Sequence, residues 1–193
     1  MKYYDSALLR TLDLDLFGEY KGLRIHVATN GGYVPRDLAA IEEIERKRDE
    51  VERMQEEYSV ELNKEYVEAL DGYEYLEQAE FDIDDHLDID SLKNVFGESL
   101  KAIEEKHRIK AMLYCESFVH FAKRGFISFD RVGYGRGSGQ LYEIVAWPAG
   151  SPYDEACREF ITAFRKKPSN VLELLSTRSS RQRRGRNPAD GGL

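Results

Sequence analysis

The sequence predicts an α+β protein, mostly helical, with one long charged helix and a small three-stranded antiparallel sheet. Three observations carry that expectation. Apolar residues recur at helical spacing over residues 99–124 and 153–167. Residues 126–132 alternate instead. Residues 23–29 and 140–147 are rich in the β-branched and aromatic side chains that suit a pleated surface. The loop Gly133-Tyr134-Gly135-Arg136-Gly137-Ser138-Gly139 is too long and too rich in glycine for a two-residue turn, so a hairpin with a mobile tip is expected. The 23–29 strand is placed beside that hairpin, under the 99–124 and 153–167 helices.

The helix over 99–124 comes first because it organises the rest. At about 100° per residue, Leu100, Ile103, Ala111, Met112, Tyr114, Cys115, Phe118, Val119, Phe121 and Ala122 fall on one arc, wider than the stripe of a surface helix. Glu105, Lys106, Lys110, Glu116, Ser117, His120, Lys123 and Arg124 fall opposite and should meet water. Gly125 is a natural stop. In the strand that follows, Phe126, Ser128, Asp130 and Val132 should share one face, and Ile127, Phe129 and Arg131 the other.

Upstream, Leu8, Leu9, Leu12, Leu16 and Phe17 recur at helical spacing, so a short amphipathic helix is expected over 6–20, capped by Asp5 or Ser6 and ended by Gly22. Residues 23–29 alternate and stop at Asn30-Gly31-Gly32. From Pro35 to about Leu70, an interrupted seam of Leu38, Ile41, Ile44, Val51, Met54, Tyr58 and Leu62 on a crowd of charges reads as a long polar helix. Downstream, Ser151-Pro152-Tyr153-Asp154 opens a helix with Ala156, Cys157, Phe160, Ile161 and Phe164 on one face. Pro168 ends it, and residues 171–175 add an apolar turn.

This gives one domain over residues 1–176, with an acidic helical arm at about 36–90, and a disordered Arg-rich tail over 177–193. The net charge of −8 hides a strong asymmetry. Residues 42–90 hold 20 acids against 5 bases, whereas the remainder holds 16 acids against 23 bases. Such a layout favours partners chosen by charge. No apolar run approaches membrane-spanning length, and residues 1–5 lack the start of a signal peptide, so a cytoplasmic location and no membrane partner are expected. Cys115 and Cys157, each on an apolar helical face, read as reduced thiols used in packing.

Motifs for chemistry are sparse. The acidic run 81–90 departs from a calcium loop at Leu87, where a glycine is needed, and at Lys93, where an acid is needed. It reads as an extended connector. No phosphate loop, paired-cysteine zinc pattern or dinucleotide fingerprint is present, and no cofactor is expected. Glu104 and His107 lie together in the apolar arc and are the candidate catalytic pair; with His26 they are the candidate metal ligands. An ordinary hydrogen-bonded buried group is the preferred reading of each, and no second Glu-x-x-His supports a dinuclear centre.

Three functions follow. The first is a non-catalytic interaction or regulatory subunit that presents the acidic helix and the basic tail to a protein partner or to copies of itself. The second is a nucleic-acid binder using Arg131, Arg136, Lys123 and Arg124 around the hairpin, with Arg181, Arg183, Arg184 and Arg186 from the tail. The order of parts is similar to that of winged-helix folds, an analogy of topology only. The third is an acid and base or metal-assisted enzyme centred on Glu104 and His107, for which no catalytic motif speaks.

Overall fold

The computed structural model describes residues 2–9, 11–31, 33–70, 114–132, 141–150, 154–166 and 170–176. Five strands make one mixed sheet: β1 (Asp15–Tyr20), β2 (Leu23–Ala28), β3 (Ser59–Leu62), β4 (Phe126–Val132) and β5 (Leu141–Ala149), in the order β1-β2-β4-β5-β3. The small three-stranded antiparallel sheet is therefore corrected. β2 does lie beside the β4–β5 hairpin, but parallel to β4, with Arg24 opposite Phe126 and Ala28 opposite Asp130. The other three pairings are antiparallel. A five-stranded centre of this kind is not the wing of a winged helix.

β1 replaces the helix expected over 6–20. Among the described residues there only α1 (Ser6–Leu9) is helical, its first turn capped by Asp5 Oδ1, which accepts from the Ala7 N–H at 2.8 Å. Leu16 and Phe17 are both buried but belong to different apolar clusters, as neighbours in a strand must. Lys21 and Gly22 follow at φ 52 and 81, which makes 21–22 a two-residue turn joining β1 to β2 and not a helix end.

The long charged helix is likewise corrected. α2 (Ile41–Glu52) stops after three turns, and the chain then runs extended to β3 and α3 (Lys64–Leu70). Tertiary bonds outweigh the helical seam: the Glu57 and Tyr58 N–H groups both donate to the Lys123 carbonyl, and β3 pairs along β5 from Ala149 to Ala146.

Helices cover both sheet faces. Leu16, Ile25, Val27, Ile127, Phe129, Tyr142 and Ile144 pack with Cys157, Ile161 and Phe164 of α5 (Asp154–Lys166) and with Val171 and Leu172 of α6 (Val171–Leu175). On the opposite face, Phe17, Ala28, Phe126 and Val145 meet α2, α3 and α4 (Glu116–Ala122) through Val51, Tyr66, Leu70, Phe118, Phe121 and Ala122. Fully burying a residue such as Phe129, Ile25 or Ile127 contributes about 1.5–3 kcal/mol. The two cysteines are buried on opposite sides of the sheet, so they pack in separate clusters and form no bridge with each other.

The apolar side of α4, the two faces of β4, the extra turn at 171–175 and, on α5, Cys157, Ile161 and Phe164 match the sequence expectation, whereas Ala156, expected on the same α5 face, is exposed. The remainder of the 99–124 helix, the 81–90 run, the glycine loop, the Ser151 cap and the Arg-rich tail lie outside the described residues. Among the described residues, no helix is long and apolar enough to cross a membrane.

Candidate functional site

The buried polar groups gather on the sheet face covered by α2, α3 and α4. Alternation along β4 puts Ser128 and Asp130 there, and alternation along β2 adds buried His26 and half-buried Arg24. Asp130 is 2% exposed at the end of β4. Its Oδ2 accepts from the Tyr66 hydroxyl of α3 at 2.5 Å and from the Tyr114 hydroxyl, just before α4, at 3.0 Å. Burial pushes the Asp130 carboxyl up to about 6, against the opposing pull of the two tyrosine hydrogen bonds. Burial and the nearby Asp130 charge in turn raise the Tyr66 hydroxyl and the Cys115 thiol far above their ordinary values. The tyrosines are thus held as donors, and Cys115 is an inert thiol.

A second group spans three neighbouring strands. His26 Nε2 lies 3.0 Å from Asp15 Oδ1. Burial alone would raise the Asp15 carboxyl, but the hydrogen bond and charge of His26, with help from Arg48 and His120, bring it below the usual range. His26 is opposite Ser128 in the parallel register, so acid, imidazole and hydroxyl follow one another as in a hydrolase triad. The chemistry stops there. Ser128 Oγ donates to the Phe118 carbonyl at 3.1 Å, and His26 Nδ1 has no hydrogen-bond partner among the described residues. Nothing draws the serine proton toward the imidazole, and both residues are fully buried. Phe17, Phe118 and Phe121 surround the His26 ring, with the Phe121 centroid 4.3 Å away.

At the C-terminal end of α4 a charged rim begins. Arg124 Nη1 donates to Glu56 Oε1 at 2.9 Å, to the His120 carbonyl at 2.9 Å and to His120 Nδ1 at 3.1 Å. A guanidinium only donates, so Nδ1 accepts and Nε2 carries the hydrogen that goes to Glu52 Oε2 at 3.0 Å. Arg124, expected on the wet side of its helix, is 8% exposed: bonds from Nη1 to Glu56 and to the last turn of α4 replace water around part of its charge, while Nε is buried without a hydrogen-bond partner among the described residues. Lys123 pairs with Glu56 at 3.5 Å, and Arg131 donates to the Asn30 carbonyl at 3.2 Å.

Comparison with protein-family models, with curated proteins and with solved structures gives no match.

The remaining candidates fall out as follows. Glu104 and His107 lie outside the described residues, as do Arg136, Arg181, Arg183, Arg184 and Arg186. His26 meets one carboxylate inside an aromatic cage, and among the described residues no group of three or more His, Cys, Asp or Glu is arranged to hold a metal. Asp130, Tyr66, Tyr114 and Asp15 were not singled out from the sequence. The one local signal was an aspartate in the midst of an apolar strand, which must find donors when buried.

Outside the core, acids outnumber bases along α2, β3 and the start of α3, although Arg46, Arg48, Arg53 and Lys64 are exposed among them. On α2, Glu42, Glu45, Asp49, Glu50 and Glu52 are exposed; Glu56 and Glu57 follow, then Glu61 on β3 and Glu65 on α3. Arg46 links Glu43 and Glu50 within α2. No ion pair among the described residues engages Glu42, Glu45 or Glu57.

Proposed function

We propose that the chain is a non-catalytic interaction subunit of a cytoplasmic protein assembly, and that the rim formed by α2, β3 and the start of α3 receives a protein partner with a basic surface. The observation that carries this reading is the set of exposed carboxylates at Glu42, Glu45 and Glu57, which no ion pair among the described residues engages. Carboxylates in that state favour fast, charge-selected encounter, and their effect weakens with salt. The buried polar groups speak for a scaffold role, because their bonds tie α3 and α4 to the sheet and leave Ser128 unactivated.

The test is recovery of the full chain with its native companions, compared with a folded Glu42→Lys/Glu45→Lys variant. Loss of a stoichiometric companion from the variant, and its release from the wild type at about 0.5 M salt, support the reading. A companion retained equally by both proteins overturns it.

A further inference from the structure

The last turn of α4 holds an imidazole with both nitrogens committed. His120 Nε2 donates to Glu52 Oε2 at 3.0 Å, and Nδ1 accepts from Arg124 Nη1 at 3.1 Å. Only the neutral ring with its hydrogen on Nε2 satisfies both neighbours. A proton added at Nδ1 turns that acceptor into a donor and sets two cations in contact.

Every element packed here brings charge to the ring. α2 supplies Glu52 and, one turn back, Arg48. β1 supplies Asp15, whose carboxyl feels both His120 and Arg48. The 53–58 segment supplies Glu56, and α4 supplies Arg124, Lys123 and, one turn before the histidine, Glu116. Among the described residues only Glu52 and Arg124 hydrogen-bond the ring, and a proton treats them oppositely: the Glu52 bond survives with charge assistance, whereas the Arg124 bond is lost. The carboxylates of Asp15, Glu56 and Glu116 favour the imidazolium, so the guanidinium is the group that must move.

Arg124 has little to fall back on. It is 8% exposed, its Nε is without a hydrogen-bond partner among the described residues, and its Nη1 alone serves His120 Nδ1, the His120 carbonyl and Glu56. Glu56 leads directly into the chain that crosses the end of α4, where the Glu57 and Tyr58 N–H groups donate to the Lys123 carbonyl at 2.9 and 3.1 Å. A guanidinium driven off Nδ1 therefore disturbs the anchor of that crossing.

We propose that His120 is a pH-sensitive latch: protonation at Nδ1 expels the Arg124 guanidinium and loosens the 53–58 segment from the end of α4. Histidine ordinarily changes charge between about pH 5 and 8, so mild acid is the trigger. Because Glu57 is also one of the rim carboxylates, the latch reshapes the surface assigned to a partner; that consequence rests on the docking reading, whereas the latch itself does not.

Amide hydrogen exchange on the full chain tests it. After correction for the intrinsic pH dependence, protection of the Glu57 and Tyr58 amides should fall about tenfold between about pH 7.5 and 5.5, with the midpoint of the His120 ring carbon shifts. The Ser176 amide, which closes α6 on the Leu172 carbonyl across the sheet, should keep its protection. His120→Gln, whose amide can donate to Glu52 and accept from Arg124 without titrating, should hold the Glu57 and Tyr58 protection constant over the same range. No fall in the wild type, a midpoint that follows another group, or an equal fall in His120→Gln overturns the proposal. So does a ring whose nitrogen shifts at neutral pH place its hydrogen on Nδ1. The companion-recovery experiment is run at one fixed pH, so failure of either reading leaves the other standing.

Discussion

The Tyr66 hydroxyl lies 2.5 Å from Asp130 Oδ2 and ties α3 to β4, the middle strand of the sheet, across 64 residues of chain. With the Tyr114 hydroxyl on the same oxygen, Asp130 joins the chain before β3's neighbour β5 to the helices on both sides of residues 71–113. A buried carboxyl at this place is tolerated because two donors replace water, and even so burial dominates its titration.

Tyr66→Phe removes one donor without opening a large cavity. It should destabilise the fold by about 1–3 kcal/mol, the penalty for leaving a buried acceptor short of a partner. It should also raise the Asp130 pKa further, because the lost bond favoured the charged form. Urea unfolding gives the first quantity and the carboxyl carbon shift of Asp130 the second; an unchanged titration would sink the assignment.

Asp130 also fixes a pH dependence. Its folded value, about 6, is above its ordinary 3.8, so its contribution is fully present below 3.8 and is lost as pH rises through about 6. The stability of the wild type relative to Asp130→Asn should therefore fall by about 2–3 kcal/mol between pH 4 and pH 8. Asp15 has the opposite sign, its lowered pKa withdrawing stability as pH falls, but it is common to both proteins and cancels in the difference. A flat difference across that range would show that Asp130 is not the titrating group.

Gly22 and Gly125 share nearly the same backbone, φ 81 and 88, in different surroundings. A Cβ at Gly22 meets open space, whereas one at Gly125 comes 3.0 Å from Tyr58 Cε2 and 3.3 Å from Arg24 Nη1. Gly22→Ala should cost about 1–2 kcal/mol from the left-handed conformation alone. Gly125→Ala should cost more, and the excess measures how tightly the Tyr58 segment is held on the end of α4. Equal losses in thermal unfolding would mean that Tyr58 moves aside freely.

Neither thiol should react under native conditions, since Cys115 and Cys157 are 0% and 2% exposed. Burial further suppresses the Cys115 thiolate. A soluble thiol reagent should label both only across the unfolding transition. Rapid labelling of one cysteine in the folded protein would place its helix away from the sheet.

What the sequence makes legible is local. The faces of β4 are readable because Ile127-Ser128-Phe129-Asp130 alternates apolar with polar, and the α5 stripe because Cys157, Ile161 and Phe164 recur on one side. β1 is not, because Leu12, Leu16 and Phe17 satisfy a helical period while the adjacent pair Leu16-Phe17, buried on opposite faces, hides the alternation; pairing with β2 and the closeness of Gly18 to Leu175 decide for the strand. β3 is hidden for a similar reason, its edge-strand character arising from β5, more than eighty residues away. The Asp130 cluster assembles residues from three separate stretches, so no spacing announces it. Arg124 reads as a surface charge until Glu56 is brought beside it.

The parallel union of β2 with β4 carries a timing consequence. Arg24 cannot meet Phe126 until about a hundred further residues have left the ribosome, which takes about 5–20 s at ordinary rates of synthesis. During that interval the newly made β1–β2 hairpin holds an open hydrogen-bonding edge, and closing the sheet is the late, slow event of its birth.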